Sequence, residues 1–89
     1  MAIVTMRYWA AAKEAAGVAE EIVAADTLAA ALSVIGGQPR ENRGAAALSA
    51  VLARSSFLID GHPVGRRAAE SVALADGAVI EVLPPFAGG

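Results

Sequence analysis

The chain contains no cysteine, which removes a disulfide framework, a thiolate metal site and a thiol nucleophile together. Only four residues are aromatic: Tyr8, Trp9, Phe57 and Phe86. Basic charge is also scarce. Seven Lys and Arg stand against nine Asp and Glu, a formal net charge of −2, and no basic stripe carries interleaved aromatics. Sequence-independent nucleic-acid binding is therefore not expected, because neutralising phosphates is what drives it. Arg66-Arg67, the one adjacent basic pair, reads as a solvated loop. No run approaches the roughly 20 consecutive apolar residues of a transmembrane helix. The longest uncharged stretch, Thr27 to Pro39, is broken by Gly36 and Gly37. The opening Met1-Ala2-Ile3-Val4-Thr5-Met6-Arg7 has no basic segment followed by a long apolar run, so no secretory signal is read there. The expectation is a cytoplasmic chain with no membrane partner.

What the chain has in abundance is alanine. Hydrophobic residues make up 56% and the mean hydropathy is +0.53, but 23 of the 89 residues are Ala, leaving 27 larger apolar side chains for a core. That suits one small domain, which buries only about 60–65% of its unfolded surface.

Residue patterning orders the elements. Ile3 to Trp9 reads as a strand with Val4, Met6 and Tyr8 on one face and Thr5 and Arg7 on the other. Ala10 to Ala16 reads as a short helix closed by Gly17, and Val18 to Ala24 as a second strand. Asp26-Thr27 offers an N-cap to a helix with Leu28, Leu32 and Ile35 as its apolar stripe, ended by a left-handed residue at Gly36-Gly37. Pro39 to Gly44 is polar and loop-like, and Ala45 to Arg54 allows a second short helix with Leu48, Val51 and Leu52 on one side. Phe57-Leu58-Ile59 reads as a buried strand before an Asp60-Gly61 turn, and Asp76-Gly77 turns the chain into a last strand, Ala78 to Leu83. The order β, β, α, (α), β, β predicts an α+β domain, a mixed sheet covered on one face.

No self-contained active site emerges. His62, the only histidine, lies between Gly61 and Pro63 with no nucleophile and orienting acid nearby. One His, no Cys and scattered carboxylates give no metal-ligand spacing. Gly36-Gly37 lacks the Lys and Ser or Thr of a phosphate-binding loop.

The C-terminus is different: Leu83-Pro84-Pro85-Phe86-Ala87-Gly88-Gly89. Pro84 and Pro85 cannot donate to a ladder, so they stop the strand and stiffen its exit. The six residues after Leu83 reach about 20 Å at roughly 3.3 Å each. The last two carry no side chain, so the tip is slim enough for a narrow pocket and ends in a carboxylate. From residues alone two readings stand: a frayed end or a functional tip threaded into a partner. The domain is read as 1–83 and the extended tail as 84–89.

Beyond these patterns, the chain resembles the MoaD/ThiS family of ubiquitin-like sulfur carriers, in particular its molybdopterin synthase small-subunit branch. The resemblance rests on Val4-Thr5-Met6-Arg7-Tyr8-Trp9, Ala10-Ala11-Ala12-Lys13-Glu14 and Gly17, and the helix opening Thr27-Leu28. It continues in Phe57-Leu58-Ile59-Asp60-Gly61, Leu74-Ala75-Asp76-Gly77 and the tail Val82 to Gly89. The terminal Gly-Gly is shared by all such carriers, whereas Leu-Pro-Pro-Phe-Ala before it is more specific to the molybdopterin branch. Lys13 stands where Arg is frequent, and Pro39 to Arg54 falls in a variable region.

The resemblance implies a β-grasp fold and a mechanism. A ubiquitin-activating-type adenylating enzyme would use Mg-ATP to turn the Gly89 carboxylate into an acyl-adenylate. Sulfur from a sulfurtransferase would replace AMP and leave a Gly89 thiocarboxylate. The tail, Pro84, Pro85, Phe86, Ala87 and Gly88, would thread into the large synthase subunit, a heterotetramer in the assembled state, and donate sulfur to cyclic pyranopterin monophosphate. No cofactor is expected on the carrier itself, and catalysis would belong to the partners. A thiazole- or cysteine-pathway carrier, a ubiquitin-like protein modifier and an inert β-grasp module remain the alternatives. Alternation in the last strand turns Ile80 and Val82 toward the helix and Val79, Glu81 and Leu83 away from it. In a β-grasp sheet the first and last strands are neighbours, so Leu83 and Trp9 are expected to form an exposed apolar docking patch at the root of the tail.

Overall fold

A computed structural model describes residues 1–38 and 45–85. Its elements run β1 (Ile3–Tyr8), α1 (Ala10–Ala16), β2 (Glu20–Ala24), α2 (Leu28–Gly37), α3 (Ala45–Leu52), β3 (Ser56–Ile59), β4 (His62–Pro63), a 3-10 turn (Ala69–Ser71) and β5 (Val79–Leu83). The strands form one sheet in the order β2-β1-β5-β3-β4. β1 and β5 run parallel at its centre, and every other pairing is antiparallel. This mixed sheet, with its helices packed on one face, is the β-grasp arrangement the sequence led us to expect.

Alternation explains which face is covered. Val4, Met6 and Tyr8 of β1 and Ile80 and Val82 of β5 are buried, and they meet Leu28, Ala31 and Ile35 of α2, Leu48 and Leu52 of α3, and the alanines of α1 in one core. The small α1 face (Ala12, Ala15 and Ala16 all buried) lets that helix sit close to the sheet. Three turns pin the ends. Gly17 takes φ +82° to close α1. Asp60 (φ +50°) and Gly61 (φ +84°) both adopt the left-handed conformation that a two-residue hairpin between β3 and β4 requires. Asp76 and Asp60 each accept a backbone N–H through Oδ1, from Ile3 at 2.7 Å and Val79 at 3.0 Å, and so tie the start of β5 to β1 on one side and to the β3–β4 turn on the other.

Several expectations need correction. β2 begins at Glu20, not Val18, because the chain is still leaving the Gly17 turn. Gly36 and Gly37 do not end α2 with a left-handed residue. Both lie inside it, and the helix closes at Gln38 in extended geometry. A Cβ on Gly36 would stand 3.0 Å from Ser49 Oγ, so this glycine serves the close approach of α2 to α3. In α2 the buried stripe is Leu28, Ala31 and Ile35, with Leu32 at its half-buried margin. Phe57, Leu58 and Ile59 are half-buried because only the two-residue β4 lies beyond β3. Arg67 is not simply solvated: its Nε donates to the Val64 carbonyl at 3.0 Å and its Nη2 to that of Pro63 at 3.3 Å. Thr27 is the N-cap, its Oγ1 accepting from Ala30 N at 3.1 Å, while Asp26 Oδ1 holds the N-terminal strand through Ala2 N at 3.0 Å. The loop reading of Pro39 to Gly44 lies outside the described residues.

Candidate functional site

β5 delivers the chain to the tail from the middle of the sheet. Ile80 and Val82 are fully buried, whereas Val79, Glu81 and Leu83 are half-buried on the open face. Leu83 is therefore less exposed than the sequence suggested. It closes a central strand, with Ser56 of β3 opposite it and β1 on its other side. Pro84 is half-buried and Pro85 exposed. Phe86, Ala87, Gly88 and Gly89, the proposed threading and reacting residues, lie outside the described residues.

Trp9 sits where parallel pairing places it. Tyr8 pairs with Val82, so Trp9 is the register neighbour of Leu83. Its backbone N–H donates to the Val82 carbonyl at 3.3 Å, and its own carbonyl accepts from Ala12 N at 3.0 Å, which makes it both the end of β1 and the N-cap of α1. The indole is 46% exposed and does not join the core. Its Nε1 donates to Glu81 Oε1 at 3.1 Å. That bond orients the ring over the open face beside the root of the tail, since Glu81 and Leu83 share that face. The next residue, Ala10, takes φ +49°, a conformation unfavourable for a residue with a Cβ.

Sequence reasoning missed what surrounds this patch. Arg7 lies in register between Glu20 of β2 and Glu81 of β5 and pairs with Glu20 at 3.4 Å. Val18, 44% exposed, lies at the same end of the sheet as Trp9, one residue beyond the Tyr8 N–H to Ala19 carbonyl bond. The parity of β1 and β5 signalled Arg7 and Glu81, but their pairing became visible only with the register. On the buried side, the Tyr8 hydroxyl donates to Glu21 Oε2, tying β1 to β2.

A separate cavity of about 300 Å³ opens between the start of α2, β3 and the following loop, lined by Leu28, Phe57, Pro63, Val64 and Arg67 among others. Its wall is largely apolar, and Arg67 is already engaged with two backbone carbonyls. Apart from the Tyr8 hydroxyl, no buried position among the described residues carries a charged or polar side-chain group. No helix among them is long and apolar enough to cross a membrane.

A mixed sheet with a parallel central pair, a helix-covered face and a diproline exit from the central strand defines a ubiquitin-like β-grasp domain. The chain belongs to the ThiS family, whose model matches residues 6–89, and is a ubiquitin-like sulfur carrier of the ThiS/MoaD type. Solved structures agree in fold. The solution structure of small archaeal modifier protein 1 from Methanosarcina acetivorans superposes with a TM-score of 0.78 at 22% identity, covering 100% of this chain and 98% of that one. The crystal structure of the same-named protein from Haloferax volcanii gives 0.75 at 24% identity, covering 98% and 99%. A chain from the complex of subunits 1 and 2 of the molybdopterin-converting factor of Helicobacter pylori gives 0.69 at 22% identity, covering 98% and 99%. No curated protein sequence matches.

Proposed function

We propose that this chain is the sulfur carrier of molybdenum cofactor biosynthesis, the small subunit of a molybdopterin synthase. The carrying observation is the tail Leu83-Pro84-Pro85-Phe86-Ala87-Gly88-Gly89, issuing from the central strand beside a half-exposed tryptophan. In this reading an adenylating enzyme uses Mg-ATP to activate the Gly89 carboxylate, releasing pyrophosphate. A carboxylate oxygen is a poor leaving group, whereas AMP leaves readily from the mixed anhydride. Sulfide-level sulfur then displaces AMP to give the thiocarboxylate. Threaded into the large subunit, the Gly89 thiocarboxylate bonds its sulfur to cyclic pyranopterin monophosphate, and water cleaves the acyl–sulfur bond, so that the sulfur stays on the product and Gly89 returns as a carboxylate. Confinement in the partner limits wasteful hydrolysis of the thioacid. Pro84 and Pro85 hold the exit extended, Gly88 and Gly89 fit a narrow channel, and Trp9 with Leu83 docks the body. A cytoplasmic location goes with this reading.

A second reading, a protein modifier, has one observation in its favour: the likeness in fold to two proteins named small archaeal modifiers. The same activated carboxylate would then acylate a lysine. Incubating the thiocarboxylated chain with a synthase large subunit and cyclic pyranopterin monophosphate separates the two. The dithiolene product supports the carrier. Absence of product, with isopeptide adducts forming in the presence of the adenylating enzyme, replaces it with the modifier.

A further inference from the structure

We propose that the outer edge of β2 is a self-pairing surface, on which a second copy of this chain adds its own β2 antiparallel about Ile22 and continues the sheet across a two-fold axis. The backbone geometry is the starting point. Tyr8 N donates to the Ala19 carbonyl and Ala25 N to that of Ala2, both in the β1–β2 register. Hydrogen-bonded pairs alternate along an antiparallel ladder. Glu21 and Val23 therefore bond inward to β1, while Glu20, Ile22 and Ala24 turn their N–H and C=O groups outward. Among the described residues β2 pairs with β1 alone, at the edge of the sheet. The opposite edge, β4, is two residues long and contains Pro63, so it is a poor template.

Natural edges of this length are usually blunted by Lys, Pro, a bulge or a covering loop. β2 has no Lys, no Pro and an unbroken register. Its open face carries Ile22, 71% exposed, beside Ile3 of β1 at 50%. Its one charge on that face, Glu20, is matched within the same chain by Arg7 at 3.4 Å. The strand is also self-complementary. A two-fold axis at Ile22 sets Ile22 against Ile22 and Glu20 against Ala24 of the second copy, so no like charges oppose. In that register all three outward residues exchange both backbone bonds with their opposite numbers. A shift by two residues leaves Glu20 or Ala24 unpaired, and a shift that sets Glu20 against Glu20 brings like charges together. This fit favours a second copy over a foreign strand. The contact is small, so the association is weak, with a dissociation constant of about 10 µM to 1 mM.

Sedimentation velocity across that range, on the intact chain, tests the proposal. The wild type should pass from monomer to dimer, and Ile22→Lys and Ala24→Pro should each weaken the association by about ten-fold or more. The proline removes only an outward N–H, and circular dichroism checks both folds. Val34→Lys, which changes an exposed apolar residue of α2, should leave association unchanged. Concentrating the wild type should slow amide exchange at Glu20, Ile22 and Ala24 selectively, a readout that needs no variant. A monomer throughout, a dimer that survives both β2 substitutions, or exchange at those amides that ignores concentration would each overturn it.

Discussion

Replacing Trp9 with alanine probes the proposed docking face at its largest side chain. A tryptophan presents up to roughly 250 Å². With 46% of it exposed in the isolated domain, about 115 Å² remains for a partner to cover. At about 25 cal/mol per Å² that area is worth roughly 3 kcal/mol, and anchors at interface centres commonly cost about 2 kcal/mol or more when truncated. The expected loss in affinity for a synthase large subunit is therefore about 30- to 100-fold. The same change removes the covered half of the ring and the bond to Glu81, so the domain should lose roughly 3 kcal/mol of stability and remain folded, since small domains hold about 5–15 kcal/mol. Trp9→Phe separates the contributions: it keeps most of the ring area but deletes the Nε1 bond to Glu81, and should weaken binding by less than the alanine change. Calorimetric titration gives the affinities, and circular dichroism melts give the fold. Wild-type affinity in Trp9→Ala would move the docking face elsewhere and refute the reasoning.

Leu83→Lys should weaken the same complex by about 30-fold, and unchanged binding would remove Leu83 from the interface. Deleting Gly89, or extending the chain with a C-terminal tag, should abolish ATP-dependent activation while the melting curve stays put; a tagged, untrimmed chain that still transfers sulfur would contradict the assignment of Gly89. Gly88→Ala adds a Cβ where a narrow channel is proposed and removes access to positive φ, so it should slow transfer without lowering Tm; equal turnover at limiting partner would mean a roomier channel. Ala10→Gly relieves φ +49° and should raise stability by about 0.5–1 kcal/mol in a urea titration, whereas a lower midpoint would show that helix entropy outweighs the relief.

Much of this architecture was legible because period and turn chemistry agree. The odd and even positions of β1 and β5 assign core and open face correctly, and Asp60-Gly61 and Asp76-Gly77 mark real turns. What escaped the sequence needed a neighbour to be seen. Gly36-Gly37 looks like a helix end, yet Gly36 answers to Ser49 on another helix. The apolar run Phe57-Leu58-Ile59 looks buried, but its outer neighbour β4 is too short to cover it and too short to show periodicity. Arg67 looks like a solvated charge because its acceptors, the carbonyls of Pro63 and Val64, belong to the backbone and leave no mark in composition. At the candidate site, the Trp9–Leu83 juxtaposition was legible from strand parity together with the strand neighbours that the family resemblance implied, and the β1–β5 register then placed the two side by side. The orienting bond from Trp9 to Glu81 joins residues 72 apart in the chain and required the register.

The central claim is that Gly89 carries sulfur as a thiocarboxylate. Intact mass spectrometry of the untagged chain, after incubation with a cognate adenylating enzyme, Mg-ATP and a sulfur source, tests it most directly. The account predicts a mass gain equal to one sulfur replacing one oxygen, localised by fragmentation to Gly89, dependent on ATP and lost again when large subunit and cyclic pyranopterin monophosphate are added. An unchanged mass with an adenylating enzyme that is active on its own carrier, or sulfur found anywhere but the terminal carboxylate, would contradict it.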